Sequence, residues 1–208
     1  MISAIVMASG YSKRMGQEKL LLEYGGKSII ERLLDVLLES KDLEILLIAR
    51  NQKIIEIGKS KSIKVIENQK AFNGISESIK LGVLNAATNT GYMFVAGDQP
   101  FLDIELINQL ISKFKNHPKS IIIPEFKGRR GNPVIFPYEM KNEFLKLSGD
   151  IGGKQIINKH LDQIEFVAIK DDKKLFDVDT KENYEYIIKM KEDEPNESKA
   201  NKSGHSNS

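Results

Sequence analysis

Short apolar runs alternate with amphipathic stretches along most of the chain, which is the pattern of a largely parallel sheet covered by helices. Residues 4–8, 44–49, 63–67, 92–96, 121–124, 133–136 and 164–169 have strand length and strand composition. Between the first two runs, Ile29, Ile30, Leu33, Leu34, Leu37 and Leu38 recur at helical spacing, and Ser28 with Glu31 forms a capping box that starts the helix. This is a β-α-β unit. A second helix is predicted over 76–87, and a third opens at Asp103, a natural N-cap, and carries Ile107, Leu110, Ile111 and Phe114 on one face. The regularity breaks after Pro124. The run Gly128-Arg129-Arg130-Gly131-Asn132-Pro133 is turn chemistry between two strands and reads as a hairpin or flap on the far side of the sheet.

Composition narrows the picture. At 208 residues the chain is long enough for a full core and reads as one domain over 1–190. Residues 191–208 are almost free of apolar side chains, cannot offset their own ordering entropy, and are expected to form a disordered polar tail. The absence of cysteine excludes disulfides, thiolate metal sites and cysteine nucleophiles. A net charge of +2 with no basic stripe argues against nucleic acid, so any anion must be held locally. No run approaches the roughly 20 apolar residues of a membrane span, and Met1-Ile2-Ser3-Ala4 lacks the basic start of a signal peptide. A cytoplasmic location without membrane attachment is expected.

The candidate chemistry follows the first strand. Ala8-Ser9-Gly10-Tyr11-Ser12-Lys13-Arg14-Met15-Gly16-Gln17-Glu18-Lys19 joins two glycines and three cations at the carboxyl end of a strand, where α/β folds bind ligands. Bare N–H groups beside Lys and Arg suit a polyphosphate, and a solvated basic loop is the plainer alternative. It is not a Walker A loop, because Leu21 stands where the leading glycine of Gly26-Lys27-Ser28 is required, and no G-x-G-x-x-G occurs. The fourth strand runs into Gly97-Asp98-Gln99-Pro100 and presents a carboxylate at the same edge. Far along the chain, Asp177-Val178-Asp179 adds two more carboxylates on one side of an extended segment, of which Asp179 is the better ligand. Asp98 or Asp179 alone reads equally as a turn or cap residue; together they favour Mg²⁺, with Mn²⁺ as the alternative. His117, His160 and His205 share no metal spacing and are read as surface residues.

These motifs, with Gly131-Asn132-Pro133 and Gly149-Asp150-Ile151-Gly152-Gly153, resemble the molybdenum cofactor cytidylyltransferases of the MobA-like nucleotidyltransferase superfamily over about residues 2–190. The resemblance implies a Rossmann-like three-layer α/β/α fold with a mostly parallel sheet and a C-terminal hairpin excursion. It also implies CTP and molybdopterin or the molybdenum cofactor as substrates, with a molybdoenzyme as recipient of the product. By position in the motifs, Ala8, Ser9 and Gly10 would meet the nucleotide, Arg14 and Lys19 would neutralise its triphosphate, and Asp98 and Asp179 would hold Mg²⁺. Gly74 would permit a tight turn in the base-recognition segment, where Ser76 would bond base or ribose or else serve as an ordinary helix cap. Asp150 would face the acceptor or be a plain turn carboxylate. Ser9 departs from the alanine usual in the cytidylyltransferases. The guanylyltransferase loop resembles Ala-Gly-Gly, so a side chain at position 9 would crowd guanine and favour CTP, unless it points to solvent or phosphate. The rival readings are the same chemistry with GTP or another phosphorylated acceptor, and a non-catalytic accessory protein that delivers cofactor.

Overall fold

The computed structural model describes residues 1–192. Ten strands and seven α-helices follow one another as β1 (Ile2–Ala8), β2 (Glu23–Tyr24), β3 (Lys27–Ser28), α1 (Ile29–Leu38), β4 (Leu43–Ala49), α2 (Gln52–Ser60), β5 (Lys64–Glu67), α3 (Ile75–Asn85) and β6 (Gly91–Ala96). They continue with α4 (Ile104–Asn116), β7 (Ile121–Phe126), β8 (Arg129–Arg130), β9 (Val134–Pro137), α5 (Lys141–Leu145), α6 (Gly153–Lys159), β10 (Ile164–Ala168) and α7 (Lys181–Glu192). The main sheet has the order β10-β7-β9-β6-β1-β4-β5, with β8 paired to β7. β1 runs parallel to both β4 and β6, β4 to β5, and β10 to β7, whereas β9 is antiparallel to its neighbours.

The central strand β1 is apolar on both faces because helices cover both. Ala4, Val6 and Ala8 face one cluster with Leu33, Leu34, Leu37, Leu106 and Leu110, while Ile5 faces the other with Ile79, Tyr92, Phe136 and Phe144. The Ser28 capping box forms as its spacing predicts, with Glu31 reaching back to the Ser28 N–H at 2.9 Å. Asp103 caps α4 through the Leu106 N–H at 2.9 Å. A third, smaller cluster of Tyr24, Ile29, Val178 and Ile187 anchors α7 against the start of α1.

The segment after Pro124 forms the hairpin its turn chemistry predicts, but continues into the sheet rather than standing off it as a flap. A tight turn at Lys127 and Gly128, both with positive φ, folds β8 back on β7, and the chain then enters the sheet as β9 between β6 and β7. Phe136 and Ile135 are fully buried, so this return strand is part of the core. Its apolar alternation was visible; its insertion between two strands far apart in sequence was not. Helix α7 extends to Glu192, two residues into the stretch read as tail, and residues 193–208 lie outside the described residues.

Candidate active site

The carboxyl ends of β1 and β6 open into a cleft of about 400 Å³ lined by the glycine loop, Lys13, Lys19, Gly74, Ser78, Asp98 and Asp150. Its glycine-loop side is a turned segment in which Ser12 takes a positive φ of 47° and Gly16 one of 66°. Ser12 organises the turn from within. Its hydroxyl donates to Glu18 at 3.1 Å and accepts from the Lys19 N–H at 3.2 Å, and its carbonyl accepts from the Met15 N–H at 2.9 Å. Met15 plugs the turn into the interior at 2% exposure. Arg50, at the end of β4, braces the loop from outside: it donates to the Gly10 carbonyl at 3.1 Å, pairs with Glu18 at 3.1 Å and lies over the Tyr11 ring. Sequence patterning gave no reason to single out Arg50, because its partners lie 40 and 32 residues away.

At the other wall, the Val178 N–H donates to the Asp98 carbonyl at 3.0 Å, which lays the 177–179 segment across the end of β6. The Lys19 ammonium then lies between two carboxylates, hydrogen-bonded to Asp98 and 2.7 Å from Asp179. Burial works to lower the Lys19 pKa, but the two carboxylates outweigh it and hold the ammonium above its ordinary value. Asp177 lies deeper. Burial first, and the neighbouring Asp98 and Asp179 charges second, push its carboxyl up to about 6. One of its oxygens is buried without a hydrogen-bond partner among the described residues.

This donor set fits a hard divalent cation. Asp98 and Asp179 converge on one point, which the Lys19 ammonium occupies as a stand-in cation, and oxygen donors of this kind suit Mg²⁺ or Mn²⁺. Among the described residues no group of three or more Asp, Glu, His or Cys side chains has metal-site geometry, so a cation here would take its other ligands from phosphate and water.

The remaining predicted residues fall into two groups. Gly10, Ser9, Lys19, Gly74, Asp98 and Asp150 all line the cleft. Arg14 stands at its rim, 77% exposed, with a guanidinium nitrogen 3.9 Å from Asp179, while Lys13 reaches the lining instead. Ala8 is buried beneath the loop in the core. Ser9 is nearly buried, and its hydroxyl donates to the Ile48 carbonyl at 3.0 Å, so the hydroxyl is committed to the backbone although the residue lines the cleft. The Ser76 hydroxyl is buried without a hydrogen-bond partner among the described residues. The residue lies at the second position of α3, is fully buried, and donates its N–H to the Gly149 carbonyl at 3.1 Å. Ser78 takes the cleft-facing position and is held by the Asn68 amide at 2.9 Å.

Gly74 has a φ of 103°, and a β-carbon there would come within 2.3 Å of the Gly149 carbonyl carbon. The close approach lets Asp150 accept from the Ile75 N–H at 3.3 Å and cap a helix whose own N-cap residue has no side chain. Asp150 thus belongs to the cleft wall rather than to a free turn. His160 pairs with Glu143 and His117 with Glu165, away from the cleft; His205 lies outside the described residues.

A mostly parallel sheet with a glycine loop and paired carboxylates at its carboxyl edge defines an α/β protein with its cleft where such folds bind ligands. The chain belongs to the MobA-like NTP transferase domain family, whose model matches residues 4–164. A probable molybdenum cofactor guanylyltransferase of Methanosarcina mazei is 32% identical over 147 residues, covering 67% of this chain and 64% of that protein. The match therefore spans just under two thirds of that relative. The purine catabolism protein PucB of Bacillus subtilis is 28% identical over 195 residues, covering 88% of this chain and 94% of that one. Among solved structures, Rv0371c of Mycobacterium tuberculosis superposes with a TM-score of 0.77 at 20% identity, over 90% of this chain and 97% of that one. Its manganese complex superposes at 0.72, also at 20% identity, over 90% and 98% of the two chains. No helix among the described residues is long and apolar enough to cross a membrane.

Proposed function

We propose that this chain is a divalent-cation-dependent nucleotidyltransferase that moves a nucleoside monophosphate, CMP from CTP, onto the phosphate of molybdopterin or the molybdenum cofactor. The observation that carries this reading is the Lys19 ammonium held between Asp98 and Asp179, at the cleft that the glycine loop lines. A metal bound by the two carboxylates would supply charge neutralisation of the phosphates. With such a metal bound, Lys19 would be free to pair with the triphosphate, and Lys13 in the cleft and Arg14 at the rim would add charge.

An acceptor phosphate oxygen attacks the α-phosphorus in line. The new P–O bond forms as the bond to the bridging oxygen breaks, and pyrophosphate leaves with that electron pair. The attacking phosphate is already anionic, so no general base is required. What the chain contributes is position and electrostatic stabilisation, through Gly10 backbone, Lys19 and the braced loop.

For the base, the support for CTP is the β-carbon of Ser9 at a position where the guanylyltransferase loop resembles glycine. The second reading, GTP as donor, is favoured by the names of the Methanosarcina relative and others like it. Incubation with each NTP, purified molybdopterin and Mg²⁺, followed by pyrophosphate release, tests the proposal. Release with CTP supports the first reading and release with GTP the second. No acceptor-dependent release with any NTP overturns both.

A further inference from the structure

The β2–β3 hairpin turns through Gly25 and Gly26, both with positive φ, and two cations from distant parts of the chain meet on it. Arg32 comes from near the start of α1 and Lys191 from the last turn of α7. A β-carbon added at Gly25 would fall 2.7 Å from the Lys191 ammonium and 2.9 Å from a terminal nitrogen of the Arg32 guanidinium. The two positive heads therefore converge on one point. They also share an aromatic ring, with the guanidinium carbon 4.9 Å and the ammonium 5.5 Å from the centroid of Tyr24.

Like charges this close repel, and no carboxylate among the described residues offsets them. The Arg32 Nε–H is buried without an acceptor. Both acidic side chains of α1 are committed elsewhere, Glu31 to the Ser28 N–H at 2.9 Å and Asp35 to Lys27 at 2.7 Å and to Lys61. Other partly buried cations of the chain, Lys19, Arg50 and Lys61, each face a carboxylate. Arg32 and Lys191 face each other instead. The positive φ of 71° already favours glycine at position 25, and the missing side chain also keeps the space between the two heads open.

We infer that this point is an anion site separate from the nucleotide cleft, and that it takes a phosphate-type dianion between Arg32 and Lys191. None of Gly25, Arg32 and Lys191 lines that cleft. Two converging charges call for a dianion, because a single carboxylate would offset only one of them. A guanidinium and an ammonium can each give a charge-assisted bond to a separate oxygen of one tetrahedral group. The site has a structural consequence. Helix α7 is anchored through the cluster of Tyr24, Ile29, Val178 and Ile187, which also seats the 177–179 segment. An anion held by both cations ties the far end of α7 to α1 and steadies the segment that carries Asp179.

Isothermal titration of inorganic phosphate into the full chain, in EDTA and at fixed ionic strength, tests the site, with pyrophosphate titrated in parallel. A saturable phosphate site is expected that weakens at least about tenfold in Lys191→Gln and in Arg32→Gln. Lys13→Ala, which removes an exposed cation of the nucleotide cleft, should leave it unaltered. Lys191 is exposed, so its variant remains informative if Arg32→Gln unfolds. Truncation after Glu192 should also leave the affinity unchanged. Tighter binding of phosphate than of pyrophosphate assigns the site to free phosphate, and the reverse assigns it to the pyrophosphate that the proposed reaction releases. No saturable binding to wild type, binding undiminished in Lys191→Gln, or a loss in Lys13→Ala equal to that in Lys191→Gln overturns the site. Phosphate that binds only the truncated chain overturns it as well, because residues 193–208 would then supply the anion.

Discussion

The Val178 N–H meets the Asp98 carbonyl at 3.0 Å, and that bond couples the 177–179 segment to the carboxyl edge of the sheet. Val178 itself is fully buried against Tyr24, Ile29 and Ile187, so the segment is fixed by its apolar middle residue while Asp177 and Asp179 flank it. A carboxylate pair 81 residues apart in sequence is thereby assembled around one lysine.

Replacing Asp98 with alanine should abolish most turnover without unfolding the protein, because its carboxylate lies in the cleft and contributes nothing to the core. A loss of at least about 10²–10³-fold in kcat is expected, the scale of removing one strong electrostatic contact at a reacting centre. Thermal unfolding and steady-state rates measured together check this. A folded variant with near wild-type rate would remove Asp98 from the machinery.

Lys19→Ala and Arg14→Ala should separate. Lys19 is largely buried between the carboxylates, whereas Arg14 is 77% exposed at the rim, where solvent screens it. Lys19→Ala should lower kcat sharply, and Arg14→Ala should change kcat/KM by less than about tenfold. Lys19→Ala also leaves Asp98, Asp177 and Asp179 facing one another, so Mg²⁺ should raise its Tm by more than that of wild type. The Lys19 pKa is raised in the folded state, so the contribution of its ion pairs is fully present at neutral pH and is lost only as pH rises through that elevated value. Equal rate losses in the two variants would show that exposure does not separate their roles.

Asp177 gives a stability prediction of opposite sign. Its folded pKa, about 6, lies above the ordinary 3.8, so the native state binds the proton more tightly than the unfolded chain does. Stability from this group is therefore greatest below pH 4 and falls as pH rises towards 6, by about 3 kcal/mol at most. In EDTA, Asp177→Asn should raise Tm at pH 7 and leave it nearly unchanged at pH 4. An equal Tm difference at both pH values would detach the effect from ionisation.

Gly74→Ala should be strongly destabilising. The left-handed φ of 103° strains any side chain, and the new β-carbon would meet the backbone of Gly149, which has no flexible end to move aside. A loss above about 2 kcal/mol is expected from denaturant unfolding, together with a weaker nucleotide affinity as the Asp150 cap separates from Ile75. Retention of both stability and affinity would show that the 149–150 loop moves freely.

The central sheet was legible because strands buried on both faces read as continuous apolar runs, and Ala4 to Ala8 and Leu46 to Ala49 are of that kind. Helix α2 was harder to see, with only Ile54 and Ile55 buried on its apolar side, and the seven-residue α6 offers one buried residue, Ile156. At the site, Lys19, Asp98 and Asp179 stood out because a cation and two carboxylates beside turn residues are informative types. Arg50 and Ser78 did not, since an arginine after a strand and a serine in a helix carry no local signal. Two positions along a helix turn a side chain by about 200°, so Ser78 lines the cleft while Ser76 is fully buried.

The orientation of Ser9 makes the nucleotide preference testable in two separable parts. Its hydroxyl is committed to the Ile48 carbonyl at 3.0 Å, so any crowding of the base must come from the β-carbon alone. Ser9→Ala keeps that carbon and deletes the bond, leaving a buried carbonyl without its partner. It should cost about 1–3 kcal/mol of stability and leave the ratio of kcat/KM for CTP and GTP unchanged. Ser9→Gly removes the carbon as well and should shift that ratio towards GTP by at least about tenfold, because the purine gains the space of a methyl group beside the loop. Wild type that uses both nucleotides equally would refute the pyrimidine reading, and a Ser9→Gly ratio identical to that of Ser9→Ala would show that position 9 does not select the base.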